Sequence, residues 1–275
     1  RGSSEGTALH IAVKKNNLKI VKRLLSIRSI NPNLCDKNNQ TPFMIVASQY
    51  NIPMINEFIS FYGKNILLYR DSIYILLEYL FKVGYHSSQH AFSSCKLDKN
   101  DNITKILDSL FKIDNIQMII DEKIKRIILD FCTKSTVPIN CVQTFLNLDL
   151  FNVNDWSLST GETILTSAVK SQRIDIINLL VNYPKTNVNM TNTGFETPLH
   201  IAVKKNNIEI IRILLSVPSI NIFLYDRNNF SPLMIAMTQQ SYEILSEFIS
   251  FCDKNKKIDK DSFNFLLEGL IKGSI

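Results

Sequence analysis

Residues Thr7-Ala8-Leu9-His10-Ile11-Ala12-Val13-Lys14-Lys15-Asn16-Asn17 return as Thr197-Pro198-Leu199-His200-Ile201-Ala202-Val203-Lys204-Lys205-Asn206-Asn207, 190 positions later. The offset holds without a gap: Glu57-Phe58-Ile59-Ser60-Phe61 recurs as Glu247-Phe248-Ile249-Ser250-Phe251, and Leu76-Leu77-Glu78 as Leu266-Leu267-Glu268. Self-similarity at a fixed period restricts the chain to architectures built by stacking one structural unit, so it is settled before any residue is given a role.

A shorter period lies inside the long one. Thr163, Thr197 and Ser231 are 34 residues apart, as are Thr7 and Thr41. In the unit beginning at residue 197, Thr197 is a helix N-cap and Pro198 suits the first helical position, where its missing N–H is not needed. Leu199, Ala202 and Val203 then fall on one helical face. Lys205-Asn206-Asn207 breaks the helix, and Ile208, Ile211, Leu214 and Leu215 mark a second. The pattern predicts that Pro218 ends that helix and that Ile220 to Leu224 runs extended into a polar turn, Asp226-Arg227-Asn228-Asn229. Asparagine tolerates the left-handed backbone such turns require.

Turn, short helix and longer helix at this spacing resemble the ankyrin repeat. The T-P-L-H-x-A pattern is complete at Thr197–Ala202, and alanine replaces proline at Thr7–Ala12. It is degenerate at Thr41–Val46 and Ser231–Ala236, where Met44 and Met234 hold the histidine position, and weakest at Thr163–Ala168. The run Leu-Leu-Ser-Val-Pro-Ser-Ile-Asn resembles the expanded ankyrin families of unicellular eukaryotes. The resemblance implies an all-α, ankyrin-type helical solenoid of α-α hairpins with projecting β-turn fingers, in which each hairpin shields the next from water.

The expected organisation is two repeats over residues 1–61 and a divergent helical segment over 62–138 that continues the stack. About four repeats follow over 139–251, the first of them worn, and a second, truncated divergent segment begins at 252–275. In the middle segment three stripes read as helices: Ile73, Leu76, Leu77, Leu80 and Phe81; Ile103, Ile106, Leu107, Leu110 and Phe111; and Ile124, Ile127, Ile128 and Phe131. Residues 139–154 read as the second helix and exit strand of the worn repeat, residues 84–100 as an irregular loop, and Asp261 to Ile271 as a terminal helix. Because the chain stops within a copy, it reads as a piece of a larger protein.

No apolar run reaches the roughly 18–20 residues that span a bilayer, and no signal peptide opens the chain. Five cysteines without regular spacing predict reduced thiols and an intracellular, cytoplasmic location. The net charge is +6, of which residues 1–61 supply +5 from eight Lys/Arg and three Asp/Glu. A uniformly basic nucleic-acid binder has its charge spread otherwise, so nucleic acid is disfavoured as a partner. Glycine-rich phosphate loops and nucleophile elbows are absent, which argues against an enzyme and a cofactor. His10 and His200 fit the family's structural histidine, which ties threonine, turn and neighbouring repeat together. His86 and His90, at i, i+4 with Cys95 behind, lack a fourth ligand and read as a polar loop rather than a metal site. Cys132 and Cys141 read as buried small hydrophobes.

The family resemblance implies a partner protein docked on the fingers and the exposed ends of the first helices. Carried onto this chain, those positions are Lys37, Asn38 and Gln40 with Lys14 and Lys15; Ser48 and Gln49; Lys170 and Ser171; Thr193 and Phe195 with Lys204 and Lys205; and Arg227, Asn228 and Phe230 with Thr238 and Gln239. Trp156, the one tryptophan, is either a finger-tip anchor or folded back on the adjacent turn. The repeated lysine pairs predict a basic lip that meets an acidic partner surface; the alternative is that they cap helix C-termini. The expected function is a non-enzymatic protein-binding scaffold. The rival is a regulatory or targeting arm of a larger enzyme or channel.

Overall fold

The computed structural model describes residues 6–49, 51–64, 105–107, 109–111, 113, 116 and 120–255. The chain divides into two compact units: Arg1–Phe131 with Thr144–Leu150, and Cys132–Gln143 with Phe151–Ile275. Among the described residues the regular structure is helical: α1 Ala8–Lys14, α2 Leu18–Leu25, α3 Pro42–Ser48, α4 Ile52–Gly63, α5 Glu122–Cys132, α6 Ile139–Asn147, α7 Ile164–Lys170, α8 Ile174–Val181, α9 Pro198–Lys204, α10 Ile208–Leu215, α11 Pro232–Thr238 and α12 Tyr242–Asn255. The stripe at residues 73–81, the loop at 84–100 with His86, His90 and Cys95, and the expected terminal helix from Asp261 lie outside the described residues.

The short first helices start where the sequence puts their caps. Thr41, Thr163, Thr197 and Ser231 each accept, through the side-chain oxygen, the N–H three residues on. Proline occupies the first turn of α3, α9 and α11. Asn16, Gln172, Asn206 and Gln240 stop these helices in the left-handed region, with φ between 52° and 57°. The second helix then begins on an asparagine side chain at Asn17, Asn51 and Asn207.

In the first unit α1 packs on α3 and α2 on α4. In the second, α9 lies between α7 and α11, and α10 packs against both α8 and α12. Neighbours complete each other's cores. Ile210 and Ile211 are fully buried on α10, which packs against both α8 and α12. Full burial of such a side chain is worth about 1.5–3 kcal/mol, so the stack carries much of each repeat's stability.

Two expectations about the second-helix exit are corrected. α10 ends at Leu215 with Ser216 as its C-cap, ahead of Pro218. A tight turn, Val217 N–H to Leu214 C=O, closes it before the proline is reached. Residues Ile220 to Leu224 are not extended: Asn221 Oδ1 accepts the Phe223 N–H and bends the chain. The same turn occurs at Asn31, Asn152 and Asn187. In the second unit it carries a ladder. Asn154 Oδ1 accepts the Asn187 N–H at 2.7 Å while its Nδ2 donates to the Lys185 carbonyl at 2.9 Å. Asn189 repeats this one unit later, to Asn221 N–H and Ser219 C=O, each at 2.8 Å.

The middle segment keeps its helical stripes where it is described. Ile106, Leu107, Leu110, Ile124, Ile128 and Phe131 are buried, and Ile127 is half-buried. Phe145 on α6 meets Phe131 and Phe111 edge-on at 6.4 and 5.6 Å. Cys132 and Cys141 are buried thiols, and burial, with Cys141 nearby, pushes the Cys132 thiol well up, so Cys132 is not poised as a nucleophile.

Candidate partner-binding surface

Each finger is a short turn closed by one polar side chain. In the first unit Asp36 Oδ1 accepts the N–H groups of Asn38 and Gln40, at 2.9 and 3.2 Å. Asp226 does the same for Asn228 and Phe230, and Asn192 for Gly194 and Glu196. Asn39, Gly161, Phe195 and Asn229 hold the left-handed position at the finger tips, with φ of 57°, 70°, 63° and 60°.

The histidines fasten finger to helix. Thr197 N–H donates to His200 Nδ1 at 3.1 Å, so Nδ1 is the unprotonated nitrogen and Nε2–H donates to the Phe230 carbonyl at 2.9 Å. His10 joins Thr7 and the Gln40 carbonyl in the same way. Both imidazoles are fully buried and orient no nucleophile, which leaves them the structural role that the sequence predicts.

Several of the expected docking lysines are engaged internally. Lys14 pairs with Asp36 at 3.0 Å, Lys170 with Glu162 at 2.9 Å, and Lys204 with Glu196 at 2.8 Å and Asp226 at 2.9 Å. Asp36 and Asp226 are almost completely buried at the side chain, so these lysines are their counter-charges and leave the finger row close to neutral. Burial pushes both carboxyls up, but the lysine and the two finger N–H groups outweigh it and hold them below their ordinary range. Glu196 is lowered likewise, against its own burial, by Lys204 and Asn192.

Sequence reasoning missed this acidic set: Asp36, Glu162, Glu196, Asp226 and the linking Asn192, whose Nδ2 donates to both Glu162 and Glu196 at 3.2 Å. A signal was present in the glutamate that precedes Thr163 and Thr197, each eight residues before a lysine.

The remaining predicted positions face outward. Lys15 and Lys205 are helix C-caps, exposed and without an ion-pair partner, and Lys37, Asn38 and Gln40 form an exposed polar tip. Ser48 and Thr238 bond back to their own helices, and Gln49, Ser171 and Gln239 are C-caps. Trp156 folds back: its indole N–H donates to the Thr191 carbonyl of the next finger at 2.6 Å, with part of the ring exposed. Arg227 stands 5.6 Å over the Phe195 ring, its Nη2 is 3.4 Å from the Thr193 carbonyl, and Asn228 and Phe230 follow on the same finger. The structure thus gathers Lys14, Lys15, Lys37, Asn38 and Gln40 in the first unit, and the other predicted positions from Trp156 onward in the second.

The wiring has a pH consequence. His200 is held below its ordinary value of 6.5, mainly by burial. The unfolded chain takes up a proton that the folded chain resists, so stability is complete above pH 6.5 and falls as pH drops through it. Asp36, Asp175, Asp226 and Glu196, lowered from 3.8 and 4.5, contribute stability that is present above those values and lost below them. Lys204 is raised above 10.5, because Glu196 and Asp226 outweigh its burial, and its contribution is lost only at higher pH. Denaturant titration is expected to show lower stability at about pH 5.5 than at about pH 7.5, with the difference reduced in His200→Gln. Equal stability at the two values contradicts the assigned tautomer.

Among the described residues no three His, Cys, Asp or Glu side chains cluster to hold a metal, and no helix is long and apolar enough to cross a membrane. Stacked helix pairs, finger turns tied across repeats and outward tips define a helical repeat protein. The chain belongs to the ankyrin-repeat family: the family profile described as "Ankyrin repeats (3 copies)" matches residues 3–72 and 184–258, more than half of the chain. No curated protein matches by sequence. Among solved structures, the ankyrin repeat domain of Bcl-3, a unique member of the IkappaB protein family, aligns with a TM-score of 0.57 at 18% identity, over 88% of this chain and 98% of that one. The human ASB11 ankyrin repeat domain aligns with a TM-score of 0.50 at 17% identity, over 89% and 97%. At these identities the likeness is one of fold. Ankyrin repeats are generally protein–protein interaction domains, and the family is typically non-enzymatic.

Proposed function

We propose that the chain is a non-enzymatic scaffold that binds a partner protein through its finger tips and the exposed ends of its first helices. The observation that carries this reading is apolar surface where the fold has no use for it: Leu158 is 75% exposed, and Phe195, Phe230 and part of Trp156 also face solvent on successive fingers of the second unit. Lys15, Lys37, Lys205 and Arg227 have no ion-pair partner among the described residues, and their charge favours an acidic partner surface. The repeat boundaries given above, residues 1–61, 62–138, 139–251 and 252–275, remain our proposed division. The free thiols support placing the protein in a reducing, intracellular compartment such as the cytoplasm.

The test separates lysines that face outward from those that face their own fold. Lys15→Glu with Lys205→Glu is expected to weaken capture of partner proteins at least about tenfold without changing helical circular dichroism. Lys14→Glu with Lys204→Glu is expected to lower the thermal midpoint instead, because Asp36 and Asp226 lose their counter-charge. Undiminished capture by the first pair means that another surface binds.

A further inference from the structure

The finger closed by Asn192 breaks the rule its neighbours obey. At the left-handed tip position the other fingers carry Asn39, Gly161 and Asn229, residue types that adopt this backbone at little strain. The second-unit finger carries Phe195 at φ 63°, and a bulky side chain there is a genuine outlier. Burial returns only part of that cost, since Phe195 is 55% exposed. Its recorded partner is the Arg227 guanidinium, and a surface cation–π contact is a small compensation. The following finger occurs twice: Asp36-Lys37-Asn38-Asn39-Gln40 and Asp226-Arg227-Asn228-Asn229-Phe230 both keep asparagine at the tip, with glutamine in one copy where Phe230 stands in the other.

We infer that Phe195, with Arg227 held over it, is a recognition anchor kept at the expense of fold stability, and that it takes a peptide segment presenting an apolar side chain beside a carboxylate. This rests on the finger-tip binding proposed above and assigns that site a residue and a ligand chemistry. The charge argument is local. Glu162 is matched by Lys170, while Glu196 and Asp226 share the single charge of Lys204; Arg227 and Lys205, which have no ion-pair partner among the described residues, turn this row net positive and stand open to an incoming carboxylate. The exposed rings of Phe195 and Phe230 stand on neighbouring fingers to receive its apolar neighbour. Strained residues that persist with so little structural return are those a binding function retains.

Phe195→Asn installs the residue found at the tips of two sister fingers. Its thermal midpoint is expected to rise by about 2–4 °C as the strain is released. Phe195→Leu keeps the strained backbone without the ring and is expected to melt near the wild type. The binding probe is a random peptide library displayed on phage and selected on the wild-type chain. Enriched peptides should carry Asp or Glu next to an aromatic or aliphatic residue, and resynthesised ones should bind Phe195→Asn at least about tenfold more weakly. A midpoint that falls or stays put in Phe195→Asn, equal affinity for the variant, or no enrichment on the wild type overturns the inference. Peptides sensitive to Lys205→Glu but not to Phe195→Asn would leave finger-tip binding standing and remove Phe195 from it; insensitivity to both removes both.

Discussion

Replacing His200 with alanine is expected to lower the unfolding free energy by about 3–5 kcal/mol, from the cavity left by a buried ring and from the polar groups it abandons. The ring is fully buried and links three groups: the Thr197 N–H, the Thr197 hydroxyl and the Phe230 carbonyl. Degenerate repeats show which of these a substitute can recover. At Met44 the sulfur stands 3.4 Å from the Thr41 N–H, and at Thr166 the hydroxyl accepts the Thr163 N–H at 2.8 Å. Among the described residues neither reaches a following finger, as the histidine Nε2 does. His200→Met is therefore expected to cost less than alanine, since it fills the volume and serves the N–H but abandons the Phe230 carbonyl. Urea denaturation followed by circular dichroism measures both. A loss below about 1 kcal/mol for alanine would mean that water replaces the imidazole and that the histidine is not the fastener between repeats.

The periodic part of this architecture was legible because local rules and tertiary packing agree. Thr197 and Pro198 cap the helix that the apolar spacing predicts, and the same stripes place Leu199, Val203 and Leu214 in the core. Contacts between repeats were less legible, because no local rule reaches across 22 or 35 residues. Lys14 and Lys204 read as exposed helix-end charges, yet each answers a buried aspartate 22 positions on. Trp156 was read two ways, and a carbonyl 35 residues away ties its indole back. The asparagines of the second-helix exit were hidden for a related reason. Asn154 and Asn189 follow Asn152 and Asn187 as ordinary turn residues, and only a stacked neighbour turns their side chains into a ladder. Phe195 is the converse case: local turn chemistry argues against it, and the fold returns only partial burial and a surface contact with Arg227.

Tyr62→Cys is expected to cost about 3 kcal/mol or more, and adding Asn33→Phe to that variant is expected to restore at least about 1 kcal/mol of it. Tyr62 is among the largest fully buried side chains of the first unit, with its ring centroid 5.1 Å from Phe43, 6.1 Å from Phe58 and 5.9 Å from Phe61. Its hydroxyl donates to Asn33 Oδ1 at 3.3 Å. At the 190-residue offset, Phe58 and Phe61 are retained as Phe248 and Phe251, but Phe43 becomes Leu233, Tyr62 becomes Cys252 and Asn33 becomes Phe223. The hydroxyl and its acceptor disappear together, and a ring, Phe223, 38% exposed, stands on the adjoining turn instead. That is the pattern expected of two positions joined by one hydrogen bond. Asn33→Phe alone should destabilise by about 1–3 kcal/mol, through overpacking against the intact tyrosine and the lost hydrogen bond. A double variant whose loss equals the sum of the two single losses would show that the positions do not interact, and that this difference between the copies is drift rather than repacking.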